Sequence, residues 1–198
     1  MSLKKFFFKT KLTYKIYLYY NLYFRHKGNQ NRLQYSQWGE DKFISDFFKD
    51  KNQGVYLDVG CFHPFMYSNT CLLHKKGWQG INIDINPTSI DLFNIARPRD
   101  VNLCTTINNE KKIFDVFYDD PFSPVNTLDE KFYNNLKKKF FKNEKKLKIE
   151  SKSIDEIIKI SKINENIDFI NIDIEGKDYE VLTQIGIEKF QPSLVAIE

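Results

Sequence analysis

The sequence is short of the residues that punctuate or staple a chain. Its 198 residues include six prolines, eight glycines, two tryptophans and three cysteines. The cysteines, Cys61, Cys71 and Cys104, are odd in number and form no C-x-x-C pair. That argues against a disulfide framework or a zinc site and suits a reducing compartment. No G-x-G-x-x-G fingerprint and no G-x-x-x-x-G-K-[ST] loop occurs, so the two common phosphate cradles are missing. The N-terminal segment has no apolar run near the roughly 20 residues a membrane span needs. Its longest charge-free stretch runs only from Ile16 to Phe24 and includes Asn21. It is also a poor secretory signal, because Lys9, Lys11 and Lys15 interrupt it and no small-x-small cleavage site follows.

Acid is missing altogether from residues 1–32, which carry Lys4, Lys5, Lys9, Lys11, Lys15, Arg25, Lys27 and Arg32. The whole chain has a formal charge of +4, with 30 basic and 26 acidic residues, so the 166 residues after Arg32 hold 22 basic and 26 acidic, a net −4. A mildly acidic body thus carries a strongly basic arm. The arm is also aromatic, with Phe6, Phe7, Phe8, Tyr14, Tyr17, Tyr19, Tyr20, Tyr23 and Phe24. Read as a helix, Phe6, Tyr17, Tyr20 and Phe24 fall near one face, with Lys4, Lys11 and Lys15 away from it. Three readings stay open: contact with the headgroups of an anionic membrane, packing on the body, or a frayed tail. Charge alone would allow a nucleic-acid arm, but no other element supports one, and no nucleic-acid partner is expected.

The body is long enough for one core. Ser36 is expected to cap a helix over 37–49, and Val55 to Val59 reads as a buried strand. A helix near 69–76 closed by Gly77, a strand over 80–84, a helix over 87–95 begun by Pro87 and a strand over 101–105 follow. Residues 113–117 suit a strand. Residues 128–146 suit a helix whose Lys137, Lys138, Lys139, Lys142, Lys145 and Lys146 make a solvated face. Ser153 and Glu156 form a capping box for a helix over 154–162. A strand over 168–173, a helix over 177–185 stopped by Gly186, and a strand from Leu194 to Glu198 complete the chain. This alternation predicts an α/β fold with a parallel sheet covered on both faces, binding its ligand at the carboxyl ends of the strands.

Those ends carry acids: Asp58 before Gly60, then Asp84, then Asp173 and Glu175 before Gly176. A glycine after the first strand permits close approach of backbone, and an acid ending the second accepts ribose hydroxyls. A nucleotide-like cofactor follows. With both phosphate cradles missing, S-adenosyl-L-methionine, which has ribose and adenine but no phosphate, fits better than a dinucleotide or nucleotide sugar.

The stretches Tyr35-Ser36-Gln37-Trp38-Gly39-Glu40-Asp41, Tyr56 to Gly60, Ser68-Asn69-Thr70, Gly77 to Asp84, Ile167 to Gly176 and Pro192 to Glu198, in this order, resemble the FkbM-type methyltransferases. The resemblance is good over 35–84 and 150–198 and loose between. It implies a Rossmann-like class I methyltransferase sheet spanning 35–198, behind a basic aromatic arm over 1–34. It implies S-adenosyl-L-methionine as cofactor and O-methylation of a sugar, polysaccharide or secondary metabolite. Carried over by position, Asp58 and Gly60 would sit at the methionine end of the cofactor and Asp84 on its ribose. Gln37 and Asp41 would close over the tail, and Asn69 and Thr70 would add polar contacts. Asp173 and Glu175 would lie beside the methyl group and the acceptor. Pro64 stands where a second loop glycine is usual, and Asp84 where Glu is more usual. The fold normally continues past the fifth strand, in which this chain stops, so a truncated product is expected.

Candidate bases for the acceptor hydroxyl are Asp173, Glu175 and His63, with Asp173 best placed. No metal is expected, for want of a third ligand. Trp38 and Trp78 read as packing residues, Cys61, Cys71 and Cys104 as small buried groups, and His26 and His74 as surface residues. The partner expected is a small-molecule or glycan acceptor, and the location cytoplasmic, with peripheral attachment to the inner face of the membrane through residues 1–32 as an option. The competing reading is a non-catalytic Rossmann-like fragment whose arm binds a membrane or a partner.

Overall fold

The computed structural model describes residues 7–25, 32–118, 120–140, 145–163 and 166–198. The arm forms helix α1 (Lys11–Tyr20), which runs on into a π-helical turn over Asn21–Arg25. The body contributes α2 (Glu40–Phe47), β1 (Val55–Val59), α3 (Cys71–Lys75), β2 (Gln79–Asp84), α4 (Pro87–Ala96), β3 (Val101–Cys104) and β4 (Thr106–Ile107). There follow β5 (Ile113–Tyr118), α5 (Glu130–Phe140), β6 (Lys145–Lys152), α6 (Ile154–Ser161), β7 (Phe169–Ile172), α7 (Asp178–Ile185) and β8 (Leu194–Ile197).

Five strands form a sheet in the order β3-β2-β1-β7-β8, and every pairing is parallel. Leu57 sits opposite Ile81 on one side and Ile170 on the other. β1 is buried throughout, because its two faces feed different layers. Val55, Leu57 and Val59 join Ile81, Ile83, Ile170 and Ile172 in the larger core, with Ile154 and Ile157 of α6. Tyr56 points the other way, into a cluster with Ile44, Phe48, Leu73, Trp78 and Phe169. This two-sided burial is why the strands read as near-continuous apolar runs. The chain leaves β3, builds other structure, and returns as β7 on the far side of β1. The order therefore reverses between β1 and β7, and a crevice opens at their carboxyl ends.

The intervening residues make a second sheet, β4-β6-β5, with β6 parallel to β4 and antiparallel to β5. Here the expectation of a helix over 128–146 needs correction: α5 ends at Phe140, and Lys145 and Lys146 open β6. Lys142 lies outside the described residues. The helix expected from residue 37 starts at Glu40; Ser36 instead caps the preceding turn, its hydroxyl accepting from the N–H groups of Gly39 and Asp41. The Ser153–Glu156 capping box forms as expected. Trp78 is buried in the core as expected, whereas Trp38 is 81% exposed and is no packing residue. Cys61 and Cys71 are buried, but Cys104 is exposed. His74 is half-buried, 3.3 Å from Asp100, and His26 lies outside the described residues.

α1 packs on the body. Tyr17, Leu18, Asn21 and Leu22 are buried, and the Tyr14 hydroxyl donates to Asp91 at 2.7 Å. Tyr17, Tyr20 and Phe24 do lie near one face, their rings stacked in series at 6.3 and 6.4 Å, with Tyr17 at its buried edge and Phe24 exposed; Phe6 and Lys4 lie outside the described residues. Among the described residues no helix is long and apolar enough to cross a membrane.

Candidate active site

Two hollows meet at the carboxyl edge of the main sheet. The larger, with about 790 Å3 of empty space when its open mouth is included, is a cleft between the ends of β1, β2, β3 and β7 and the second sheet. Val59, Gly60, Phe62, Asp84, Asn86, Thr105, Ile107, Asp173 and Glu175 are among its walls. The smaller hollow, about 570 Å3, is lined by Gln37, Trp38, Glu40, Tyr67, Asn69, Asn171, Asp173, Ile197 and Glu198 among others. Asp173 belongs to both.

Asp84 ends β2 with its carboxylate on the cleft wall. One oxygen accepts the Phe62 N–H at 2.8 Å and the other the Asn86 N–H at 2.7 Å. Burial pushes its pKa up to about 6, against the lowering pull of those backbone donors. The Ile85 N–H also acts on this carboxylate, so of about four acceptor positions one is left for a ligand's hydroxyl. Asn86 caps α4 by accepting from the Thr88 N–H, and its amide donates to the Pro121 carbonyl, tying down the loop that carries Ser123 and Asn126.

Gly60 has φ +83, and a β-carbon there would lie 1.8 Å from the Asp173 carbonyl oxygen. The glycine is required because two chain segments touch; what it approaches closely is the end of β7. Asp173 N–H in turn donates to the Val59 carbonyl at 2.9 Å. The Asp173 carboxyl is pushed up to about 8, first by burial, then by a hydrogen bond with Glu198 and by the charges of Glu198, Glu175 and Asp58. Glu175, beside it in the cleft, is raised too, by burial and then by Glu198 and Asp178. Non-glycine residues with left-handed φ cluster here: Phe62 (+49), Tyr67 (+51) and Glu175 (+58) all line one hollow or the other. Such backbone conformations cost of order 1–3 kcal/mol each and concentrate at functional sites.

Other expected site residues lie elsewhere. Asp58 is fully buried below the crevice, accepting from Thr70 Oγ1 at 2.6 Å and Asn171 Nδ2 at 2.9 Å, and lines neither hollow. Burial, offset in part by those donors and by Arg97, raises its pKa. Thr70 is likewise internal. Asp41 is buried and holds its own loop, accepting from the Tyr35 N–H and the Ser36 hydroxyl. Gln37 and Asn69 do reach a hollow, the smaller one. His63 is corrected as a base. It is 2% exposed, its Nδ1 accepts from the Phe65 N–H, and its Nε2 therefore donates to Asn21 of the arm at 3.2 Å. Neither hollow touches it.

Sequence reasoning passed over Arg97, the hub of the network beneath the site. It is 1% exposed and donates to the Tyr56 hydroxyl, Thr70 Oγ1, the Pro64 carbonyl and Ser68 Oγ, all within 3.0 Å. Tyr56 passes the chain on to Asp100 at 2.7 Å. The loop from Gly60 to Ser68 is thereby pinned from below. An arginine at a helix end followed by a proline reads as surface, and nothing local marks it as buried. Among the described residues no group of three or more His, Cys, Asp or Glu side chains is arranged to hold a metal.

A parallel sheet with one reversal and an acid-lined cleft at that reversal define a Rossmann-like α/β fold. The comparison with known families then places it. The model of the methyltransferase FkbM domain matches residues 51–198, and the chain belongs to that family. Comparison with curated proteins and with solved structures returned no match.

Proposed function

We propose that this protein transfers a methyl group from S-adenosyl-L-methionine to the hydroxyl of a sugar, polysaccharide or other polyol. The observation that carries the reading is Asp173, a carboxyl of raised pKa standing on the wall shared by two hollows.

The larger cleft suits the cofactor. Asp84 faces the cleft as an acceptor for a ribose hydroxyl, and Phe62, Ile85, Ile107 and Phe114 supply apolar surface for a flat base. When bound, the sulfonium supplies an electrophilic methyl carbon. The smaller hollow suits the acceptor. Trp38 and Tyr67 expose ring faces there, beside the amides of Gln37, Asn69 and Asn171. Rings flanked by amides and carboxylates match the alternating apolar and hydroxyl faces of a polyol. Asp173, once ionised, accepts the hydroxyl proton as the oxygen–carbon bond forms and the carbon–sulfur bond breaks, the bonding pair leaving on sulfur as a neutral thioether. Glu175 flanks that step as a second carboxyl, and Glu40 and Glu198 as polar wall.

S-adenosylhomocysteine is expected to raise the melting temperature of the wild-type chain and to leave that of Asp84→Ala unchanged. No shift with the wild-type chain overturns the reading and returns the domain to a non-catalytic role.

A further inference from the structure

The arm precedes the family match, and its helix presents two apolar faces where one would suffice. The inner face is occupied: Leu18 and Leu22 pack on Leu92 of α4, with Phe65 and Phe122 alongside. The outer face is open. Leu12 is 70% exposed, Ile16 52% and Phe24 71%, and Tyr19 and Tyr20 are exposed beside them. With Lys15 they line a shallow hollow.

Leu12, Ile16, Tyr20 and Phe24 recur every fourth residue. In an α-helix that spacing overshoots a full turn, so the stripe drifts round the axis. The wider i→i+5 turn over Asn21–Arg25 falls short of a full turn in four residues and brings Phe24 back, its ring stacked on Tyr20 at 6.4 Å. The open stripe is thus kept straight to the end of the helix. Around it stand Lys9, Lys11, Lys15 and Arg25, all exposed, and no acid occurs from residue 1 to 32.

We infer that this outer face docks on an anionic lipid bilayer, α1 lying in the interface with its aliphatic and aromatic stripe in the headgroup region and its basic residues against the lipid charge. The stripe supplies apolar area, the tyrosines suit a boundary that is apolar on one side and wet on the other, and the cations complement the lipid. The body, at net −4, is repelled by the same surface, so the molecule stands on its arm. α4, on which the arm packs, supplies Asn86 at its N-cap and Ser89 in its first turn to the large cleft. Docking therefore holds that rim near the lipid. The inference does not depend on the methyltransferase reading.

The test is co-sedimentation of the full chain with phosphatidylcholine vesicles, with and without phosphatidylglycerol, across a salt series. Binding is expected only with the anionic lipid and is expected to fall as salt rises. Lys11→Gln with Lys15→Gln should weaken it roughly thirtyfold, since each basic residue at such a surface is worth about 1 kcal/mol. Leu12→Ser with Phe24→Ser should also weaken it without lowering the melting temperature, because both side chains are exposed. Tyr19→Trp should blue-shift its emission on anionic vesicles. Absence of binding at low salt, or equal binding to neutral vesicles, overturns the inference. So does a result in which the Leu12/Phe24 substitutions abolish self-association in light scattering while leaving vesicle binding intact, which would assign the face to a second copy of the chain.

Discussion

Asp173 and Asp84 both titrate away from the ordinary carboxylate range, and their consequences run in different pH windows. With its pKa pushed up to about 8, Asp173 is mostly protonated at neutral pH, and a base must first lose its proton. Methyl transfer should rise with pH through about 8, and Asp173→Asn should lower kcat by 10²–10⁴-fold while leaving S-adenosylhomocysteine binding intact. Initial rates across a pH series with both proteins check this; an unchanged rate in Asp173→Asn removes it as the base. Asp84, raised to about 6, keeps its charge at pH 7 and loses it below 6. Cofactor affinity, followed by calorimetry, should weaken from pH 7 to pH 5. Folding stability from the same group moves oppositely. Its folded pKa lies above its unfolded value of 3.8, so the contribution is present at low pH and is lost as pH rises through 6. At this scale the sequence was legible where a side chain ends a strand and faces out, as at Asp84, Asp173 and Glu175. It was illegible at Asp58, Asp41 and His63, whose partners lie on other segments and turn them inward: Asn171 from β7, Tyr35 and Ser36, and Asn21 of the arm.

The turn after β1 shows how an element can be right for an unexpected reason. Gly60 was expected to let backbone approach a ligand; it lines the cleft, and it also admits the backbone that leaves β7 at Asp173. Gly60→Ala should therefore destabilise the fold by at least about 3 kcal/mol, combining left-handed strain with a backbone clash, and a denaturant titration measures it. Little change would mean the two segments separate at small cost. β1, β2 and β7 were legible because two-sided burial leaves uninterrupted apolar runs. β6 was not, because its lysines resemble the solvated face of the helix before it. Its period-two signal was present nonetheless: Ile149 and Ser151 are buried, while Lys148 and Glu150 between and beside them are exposed.

Across the whole molecule, Arg97 does the joining. It links the end of α4, the β1 loop and Thr70, and through Tyr56 and Thr70 it reaches Asp100 and Asp58. Arg97→Met removes the cation from beneath two buried carboxylates and should cost about 3–5 kcal/mol, read from urea unfolding, with the loss of cofactor binding that follows from a released loop. No stretch of sequence announces this, since every partner is remote along the chain. The arm was partly legible: its charge and aromaticity were plain, and which of its faces meets the body was set by Leu92, Phe65 and Phe122.

The contact between Gly60 and the Asp173 carbonyl joins the two hollows mechanically. The floor of the first and the dividing wall are the same few peptide units, locked by the Asp173 N–H on the Val59 carbonyl. A ligand that shifts either segment shifts the other. Occupancy on one side is therefore expected to be felt on the other, because both walls are ends of neighbouring parallel strands.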